Sequence, residues 1–413
     1  MKRDSLVAAG KEVARRLDVL AQITDEPGQI TRTYLSPAMA RANARVNEWM
    51  QTDGLMVRED AVGNLIGRQE GPGKTLLLGS HLDTVRNAGR FDGPLGVLLP
   101  CAALAVLKAE GVALPFAVEV LGFAEEEGVR FASAYLGSKG YAGQLRRADL
   151  ARRDEAGVSV EEVLKARDPA FTLPPPARRP RELLGYVETH IEQGPVLEKR
   201  GLPVGVVTAI AGQIRGRAIF MGQAGHAGTT PMGLRQDALA GAAEWIGWIE
   251  QYAAARGRAP LVATVGTAII RPGAPNVIPA EAILSLDVRH PADRFAQASL
   301  AALLRQAKAI ARRRNLRFTW EVTQRNGAVA CNPALTKALS ASIRAAGVKP
   351  LGLVSGAGHD GVVMSQLTPI AMLFVRCRQG LSHHPDEYAS PADITVALRV
   401  LCDFLKRLAA ASL

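Results

Sequence analysis

Cysteine is scarce: Cys101, Cys331, Cys377 and Cys402 are the whole complement of a 413-residue chain, and no two form a CxxC pair. Cysteines so few and so irregularly spaced exclude a disulfide scaffold and point to a reducing compartment. Aromatic residues make up only 5%, and the arginines are spread along the chain with short runs such as Arg312–Arg314. The net charge of +11 therefore lacks the clustered, aromatic-interleaved form that nucleic-acid recognition calls for, and suits anionic metabolites and solubility instead. Long apolar runs are missing too. The most apolar stretch, Gly96–Leu107, is about a dozen residues, against the roughly 20 that a membrane span needs. The opening MKRDSLVAAGKEVARRLDVL is charged and amphipathic, with no apolar signal-like core. The expectation is a cytoplasmic protein that engages neither nucleic acid nor membrane.

What is present describes an ordinary globular chain, 48% hydrophobic and 22% charged. Its length suits two or three domains at roughly 150 residues each. Ser36-Pro37 reads as an N-cap followed by proline at the first helical position. Leu76–Leu78 and Ala117–Phe123 read as buried strands, Val97–Leu107 and Ser159–Ala166 as helices, and the proline- and arginine-rich stretch 168–181 as a surface loop. Strand–helix alternation predicts an α/β domain with a mostly parallel sheet. From about Gln213 the pattern changes to a strand (Arg217–Met221), a helix (Arg235–Ala254), strands (Val262–Ile270 and Ala282–Arg289), a helix (Phe295–Arg313) and a strand (Arg317–Val322). That β-α-β-β-α-β order predicts a ferredoxin-like α+β insert. The α/β pattern resumes with a helix at Pro333–Ala346 and a strand at Ile370–Val375. The economical architecture is one discontinuous catalytic domain, 1–212 with 327–413, carrying an inserted domain at 213–326.

The chemistry-bearing residues gather at strand ends, where open α/β sheets place their sites. Gly79-Ser80-His81-Leu82-Asp83 follows an apolar strand, making His81 a candidate ligand and Asp83, two residues on, a candidate to orient its ring. Asp92 follows in a glycine-containing loop. Glu125-Glu126-Glu127 ends another apolar strand, and adjacent buried carboxylates repel unless a cation or proton neutralises them. One can then ligate a metal while its neighbour accepts a proton from water. His190 and His383 lie in similar polar segments, among only seven histidines in the chain. Two histidine–carboxylate sets sharing an aspartate would suit two borderline cations about 3.5–4 Å apart. Taken singly, the His-x-Asp segment reads better as a hydrogen-bonded core histidine, and the acidic segment has a solvated turn as its lesser alternative; together they favour a metal centre.

These segments together resemble the hydantoinase/carbamoylase amidases, a branch of the carboxypeptidase G-like di-metal hydrolases. The match runs nearly end to end through GNLIGR from Gly63, GSHLDTV from Gly79, EEEGVRF from Glu125, HIEQGPVLE from His190, GHAGTTPM from Gly225, NVIP from Asn276, DVRH from Asp287, SGAGHD from Ser355 and LSHHPDE from Leu381. The resemblance implies a di-metal aminopeptidase-like catalytic domain and an inserted dimerisation domain, hence a homodimer. It implies two divalent ions (Zn, Mn, Co or Ni), with His81, Asp92 and His190 on one and Asp92, Glu127 and His383 on the other. Glu126 matches the general base. His226 matches an oxyanion-stabilising histidine that in relatives reaches the partner subunit's site. Arg215, Asn276 and Arg289 match the grip on a substrate carboxylate, for which a planar guanidinium is suited in its own right, and Gln193 matches a contact to the ureido group. A non-proline cis or strained peptide near the metal loop is also implied. The implied reaction is hydrolysis of a ureido C–N bond in a small carboxylate, with allantoate the first expectation and an N-carbamoyl-L-amino acid the alternative.

Overall fold

The computed structural model describes residues 3–174, 176–256 and 260–411. They divide into two compact units, one comprising the chain up to Thr208 together with the chain from Cys331, the other Ala209–Ala330. The boundaries expected at 213 and 326 fall inside the second unit.

At the centre of the first unit, the strands Ala117–Phe123, Thr75–His81, Leu183–Ile191 and Ile370–Val375 lie side by side in that order and run parallel. Antiparallel strands flank them, Leu65–Gln69 and Met56–Glu59 on one side and Val204–Ile210 on the other. Every residue of Thr75–His81 and Ala117–Phe123 is buried, as continuous apolar runs covered on both faces must be. The helix Pro94–Ala109 is apolar all round and almost wholly buried, and the helices Arg3–Ala21 and Pro391–Ala411 pack over it. The expected cap at Ser36 is made: its Oγ accepts the Met39 N–H at 3.1 Å, at the start of the helix Pro37–Thr52. Of the stretch 168–181, Arg178 reaches back to the fully buried Glu119.

In the second unit an antiparallel sheet runs in the order Arg317–Asn326, Gly212–Met221, Glu281–His290, Val262–Thr264, with Ala268–Arg271 also pairing Glu281–His290. With the helices Ala238–Ala254 and Asp293–Arg313 the element order is β-α-β-β-β-α-β, one strand more than the β-α-β-β-α-β order expected. The strand Gly212–Met221 alternates strictly, burying Ile214, Ala218 and Phe220 while turning Gln213, Arg215 and Arg217 outward. Trp245 anchors the core and donates from Nε1 to the Leu303 carbonyl at 2.8 Å. The single strand expected over Val262–Ile270 is two. Ser285 Oγ accepts the backbone N–H groups of Gly266 (3.2 Å) and Thr267 (2.9 Å), a side-chain bond that breaks the ladder there. The helix expected from Arg235 starts at Ala238, because Asp237 caps it by accepting the Ala240 N–H. No helix among the described residues is long and apolar enough to cross a membrane.

Candidate metal centre

The parallel strands all deliver their C-terminal ends to one edge of the sheet, and each end supplies an acid or an imidazole. His81 is the last residue of its strand, His190 the penultimate residue of its own, and Glu125–Glu127 follow Phe123 directly after Ala124. The fourth strand leads through a short turn at Arg378–Gly380 to His383. Asp92 sits in the loop between His81 and the buried helix.

Among the described residues, three overlapping groups have their ligand atoms within 4.8 Å of one another: His81, Asp92 and His190; His81, Glu126 and Glu127; and Asp92, Glu127 and His383. Asp92 Oδ1 lies 3.0 Å from His190 Nε2 and 3.4 Å from His81 Nε2. Its other oxygen lies 3.4 Å from His383 Nε2, which is itself 3.4 Å from Glu127 Oε1. One carboxylate facing two imidazoles with one oxygen and a third with the other has the disposition of a bridge between two cations. Nitrogen and carboxylate oxygen in these numbers fit borderline divalent metals.

Neighbouring groups set the direction of each ligand. His81 Nδ1 lies 3.0 Å from the Asp83 carbonyl and 3.4 Å from Asp83 Oδ1, and His190 Nδ1 lies 2.9 Å from the Ile191 carbonyl. Each contact calls for a proton on Nδ1, which leaves the Nε2 lone pair facing Asp92. Asp83 also accepts the Glu126 and Glu127 backbone N–H groups, so it aligns the acidic turn as well. The backbone strain near the metal loop takes a form other than a non-proline cis bond. Among the described residues the cis peptide is Arg271–Pro272, in the second unit, while beside His81 it is Gly93 that adopts φ 83°. A Cβ at Gly93 would stand 2.5 Å from the His81 ring, so only glycine fits.

Without cations the cluster is an assembly of buried charges. Burial, reinforced by the adjacent Glu127 charge, pushes the Glu126 carboxyl well above the usual carboxylate range. Burial and Asp92 push Glu127 up to about 8. Against burial, the His190 and His81 imidazoles hold Asp92 well below its usual range. Acids driven towards neutrality beside an ionised aspartate mark a place where positive charge is wanted.

Gln193 lies against this cluster, its Nε2 donating to Asp92 Oδ2 at 2.7 Å while its buried Oε1 has no hydrogen-bond partner among the described residues. The remaining expected residues lie in the second unit. His226 Nδ1 accepts the Gly228 N–H at 3.0 Å, which puts the neutral ring's proton on Nε2. The Asn276 carbonyl accepts the Ala227 N–H, so Asn276 and His226 occupy paired backbone segments. Arg215 and Arg289 project from neighbouring strands and both bond Asp287 Oδ2 at 2.9 Å.

Further residues join the site that their sequence context does not single out. Glu387 is buried against the Asp92 loop, and Ser382 bonds Asp92. Glu188 is wholly buried between Ser80 and Gly361. The His359 ring packs edge-on to His190, with 4.6 Å between centroids. The sequence signal for these is their place in or beside the matching segments: Ser382 and Glu387 share LSHHPDE with His383, Glu188 lies two residues before His190, and His359 lies in SGAGHD, which holds no ligand.

The model of peptidase family M20/M25/M40 matches residues 77–407. An N-carbamoyl-L-amino acid amidohydrolase of Geobacillus stearothermophilus is 42% identical, over 95% of this chain and 97% of that protein. An allantoate deiminase of Arabidopsis thaliana is 39% identical, over 96% of this chain and 82% of that protein. The crystal structure of a hydantoinase/carbamoylase family amidase from Burkholderia multivorans superposes with a TM-score of 0.90 at 33% identity, covering 96% of this chain and 97% of that one. The cluster and the end-to-end likeness lead to one conclusion: the chain belongs to peptidase family M20/M25/M40, in its hydantoinase/carbamoylase amidase branch.

Proposed function

We propose that this protein is a metal-dependent amidohydrolase that cleaves the carbamoyl C–N bond of small ureido carboxylates, allantoate first among them. The observation that carries the reading is Gln193. Its amide is oriented by Asp92, and its buried Oε1 is an unclaimed acceptor within the metal cluster. A ureido group offers N–H donors on both sides of its carbonyl, so such an acceptor suits it.

When bound, two divalent cations supply Lewis acidity and lower the pKa of water towards about 7. His81, Asp92 and His190 would hold one, and Asp92, Glu127 and His383 the other. Glu126 takes the proton of the attacking water on its carboxylate and returns it to the leaving nitrogen. His226 donates from Nε2 to the developing oxyanion. Arg215, Asn276 and Arg289 grip the substrate carboxylate, with Arg215 and Arg289 exchanging Asp287 for it. The carbamate released falls apart to ammonia and carbon dioxide; from allantoate the other product is ureidoglycine. The working form is a homodimer through the inserted ferredoxin-like unit, with His226 serving the partner subunit. Four buried, free cysteines suit the cytoplasm.

The relative at 42% identity favours a second reading, N-carbamoyl-L-amino acids as substrates. Ammonia release from manganese-loaded protein, compared between allantoate and a panel of N-carbamoyl-L-amino acids, separates the two. A large preference for allantoate supports the first reading, and the opposite preference moves the protein to the second. Silence on both overturns the chemistry.

A further inference from the structure

We infer that Glu387 is a positioning residue that sets the spacing between two metal ligands nearly three hundred positions apart in the chain. The inference rests on the metal-centre reading above. Asp92 and His383 belong to one candidate ligand group, yet they sit on separate loops with no covalent link to fix their separation. Glu387, 1% exposed, spans the two loops. Its Oε1 accepts the backbone N–H of Phe91 at 2.8 Å and of Asp92 itself at 3.0 Å. Its Oε2 accepts from the Ser382 hydroxyl at 3.0 Å, and that hydroxyl also meets Asp92 Oδ2.

The same side chain thus fixes the main chain of the shared aspartate and engages the residue just before His383. His383 has φ 56°, a left-handed conformation uncommon for a residue with a Cβ. The turn that follows it closes through the Glu387 N–H on the His384 carbonyl at 3.0 Å. Phe91 and Tyr388 pack edge to face beside this clasp, with 5.9 Å between centroids. Room for the carboxylate comes from Gly89, where a Cβ would stand 2.3 Å from Glu387 Oε1. A carboxylate placed to bind backbone and hydroxyl rather than a cation acts through the ligands it holds.

The test is titration of manganese(II) alone into metal-stripped wild type, E387A, E387Q and S382A, with the melting temperature of each metal-free protein measured alongside. E387A is expected to weaken the site that includes His383 by about 10-fold or more, as loss of outer-shell partners does, and the other site, which shares only Asp92 with it, by less. E387Q should restore most of that affinity, since its amide oxygen accepts both N–H groups and its amide nitrogen donates to Ser382. S382A should show a smaller loss at the same site with an unchanged metal-free melting temperature. Wild-type affinity at both sites in S382A and in folded E387A overturns the inference. So does equal weakening of both sites in step with the melting temperature. If E387A does not fold, S382A and E387Q decide the matter. Ureide turnover followed in parallel keeps the two proposals separate: a wild type that binds manganese but turns over no ureide sinks the reaction and leaves the titration to judge Glu387.

Discussion

The backbone N–H of Glu126 donates to Asp83 Oδ1 across 3.0 Å, tying the loop after one parallel strand to the loop after its neighbour. Asp83 therefore acts on both partners in the proposed chemistry: it orients the His81 ring and it holds the turn that carries the general base. D83A should lower kcat and metal affinity together, each by about 10- to 100-fold as for other outer-shell partners. Steady-state kinetics with metal content by mass spectrometry check this. A variant with full metal affinity and full kcat would show Asp83 to be inert.

Glu126 is assigned the proton transfer and not a ligand's share of the cation. E126Q should lose about 10²- to 10⁴-fold in kcat, the usual weight of a general acid–base, while retaining wild-type metal stoichiometry. Loss of bound metal in the variant would move Glu126 into the ligand set.

Chelation should abolish ammonia release and leave a less stable protein, because the buried acids lose their counter-charge. Readdition at about 100 times the dissociation constant should return roughly 2.7 kcal/mol of stability. Thermal melts across a manganese titration measure it, and a melting temperature independent of metal would contradict the site.

Arg289 meets Asp287 with two bonds, Nε to Oδ1 at 3.1 Å and a terminal nitrogen to Oδ2 at 2.9 Å. A substrate carboxylate taking that place would be held in the same fork. R289K should raise KM by about 10-fold or more while changing kcat less, since roughly 1.4 kcal/mol of lost binding corresponds to a factor of ten. An unchanged KM would remove Arg289 from the clamp.

Glu119 is wholly buried, bonded by Arg178 and Arg68 and by the Tyr141 hydroxyl at 2.6 Å. Burial raises its carboxyl, but the Arg178 and Tyr141 bonds outweigh that and the net shift is below the ordinary value of 4.5. A folded-state pKa below the unfolded one adds stability that is present above about 4.5 and is lost as pH falls through the depressed value. R178A should therefore destabilise the protein at neutral pH by up to about 3–5 kcal/mol, the range for a buried charge stripped of its partner. The deficit relative to wild type should shrink as Glu119 protonates in acid. Urea unfolding at pH 7 and pH 4 tests both, and a deficit that grew in acid would contradict the assignment.

The strand ends are legible because apolar runs such as Leu76–Leu78 and Ala117–Phe123 stop abruptly at His81 and at Glu125–Glu127. Acids buried side by side at such an end are costly until a cation or a proton neutralises them. The Ser36 cap is legible because capping is a local bond. Glu387 is not, because its partners Phe91 and Asp92 are close only after folding, and nothing about an acid after His-Pro-Asp distinguishes a clasp from a solvated turn. The break in Val262–Ile270 is hidden for the same reason: the bonds that interrupt it come from Ser285, on a neighbouring strand. The pairing of Asp287 with Arg289 follows from two-residue alternation along one strand, but its pairing with Arg215 depends on strand register, which hydrophobic alternation does not reveal.

The ligands are gathered from four separate strand ends, and the last of them, His383, comes far downstream of the rest. During synthesis on the ribosome, a chain could expose His81, Asp92, Glu127 and His190 long before the residue that completes their set has been made. On the proposed ligand set, a copy truncated before His383 would lack a ligand of the second cation. Metal loading would thus report that the final parallel strand, Ile370–Val375, has docked and brought His383 with it.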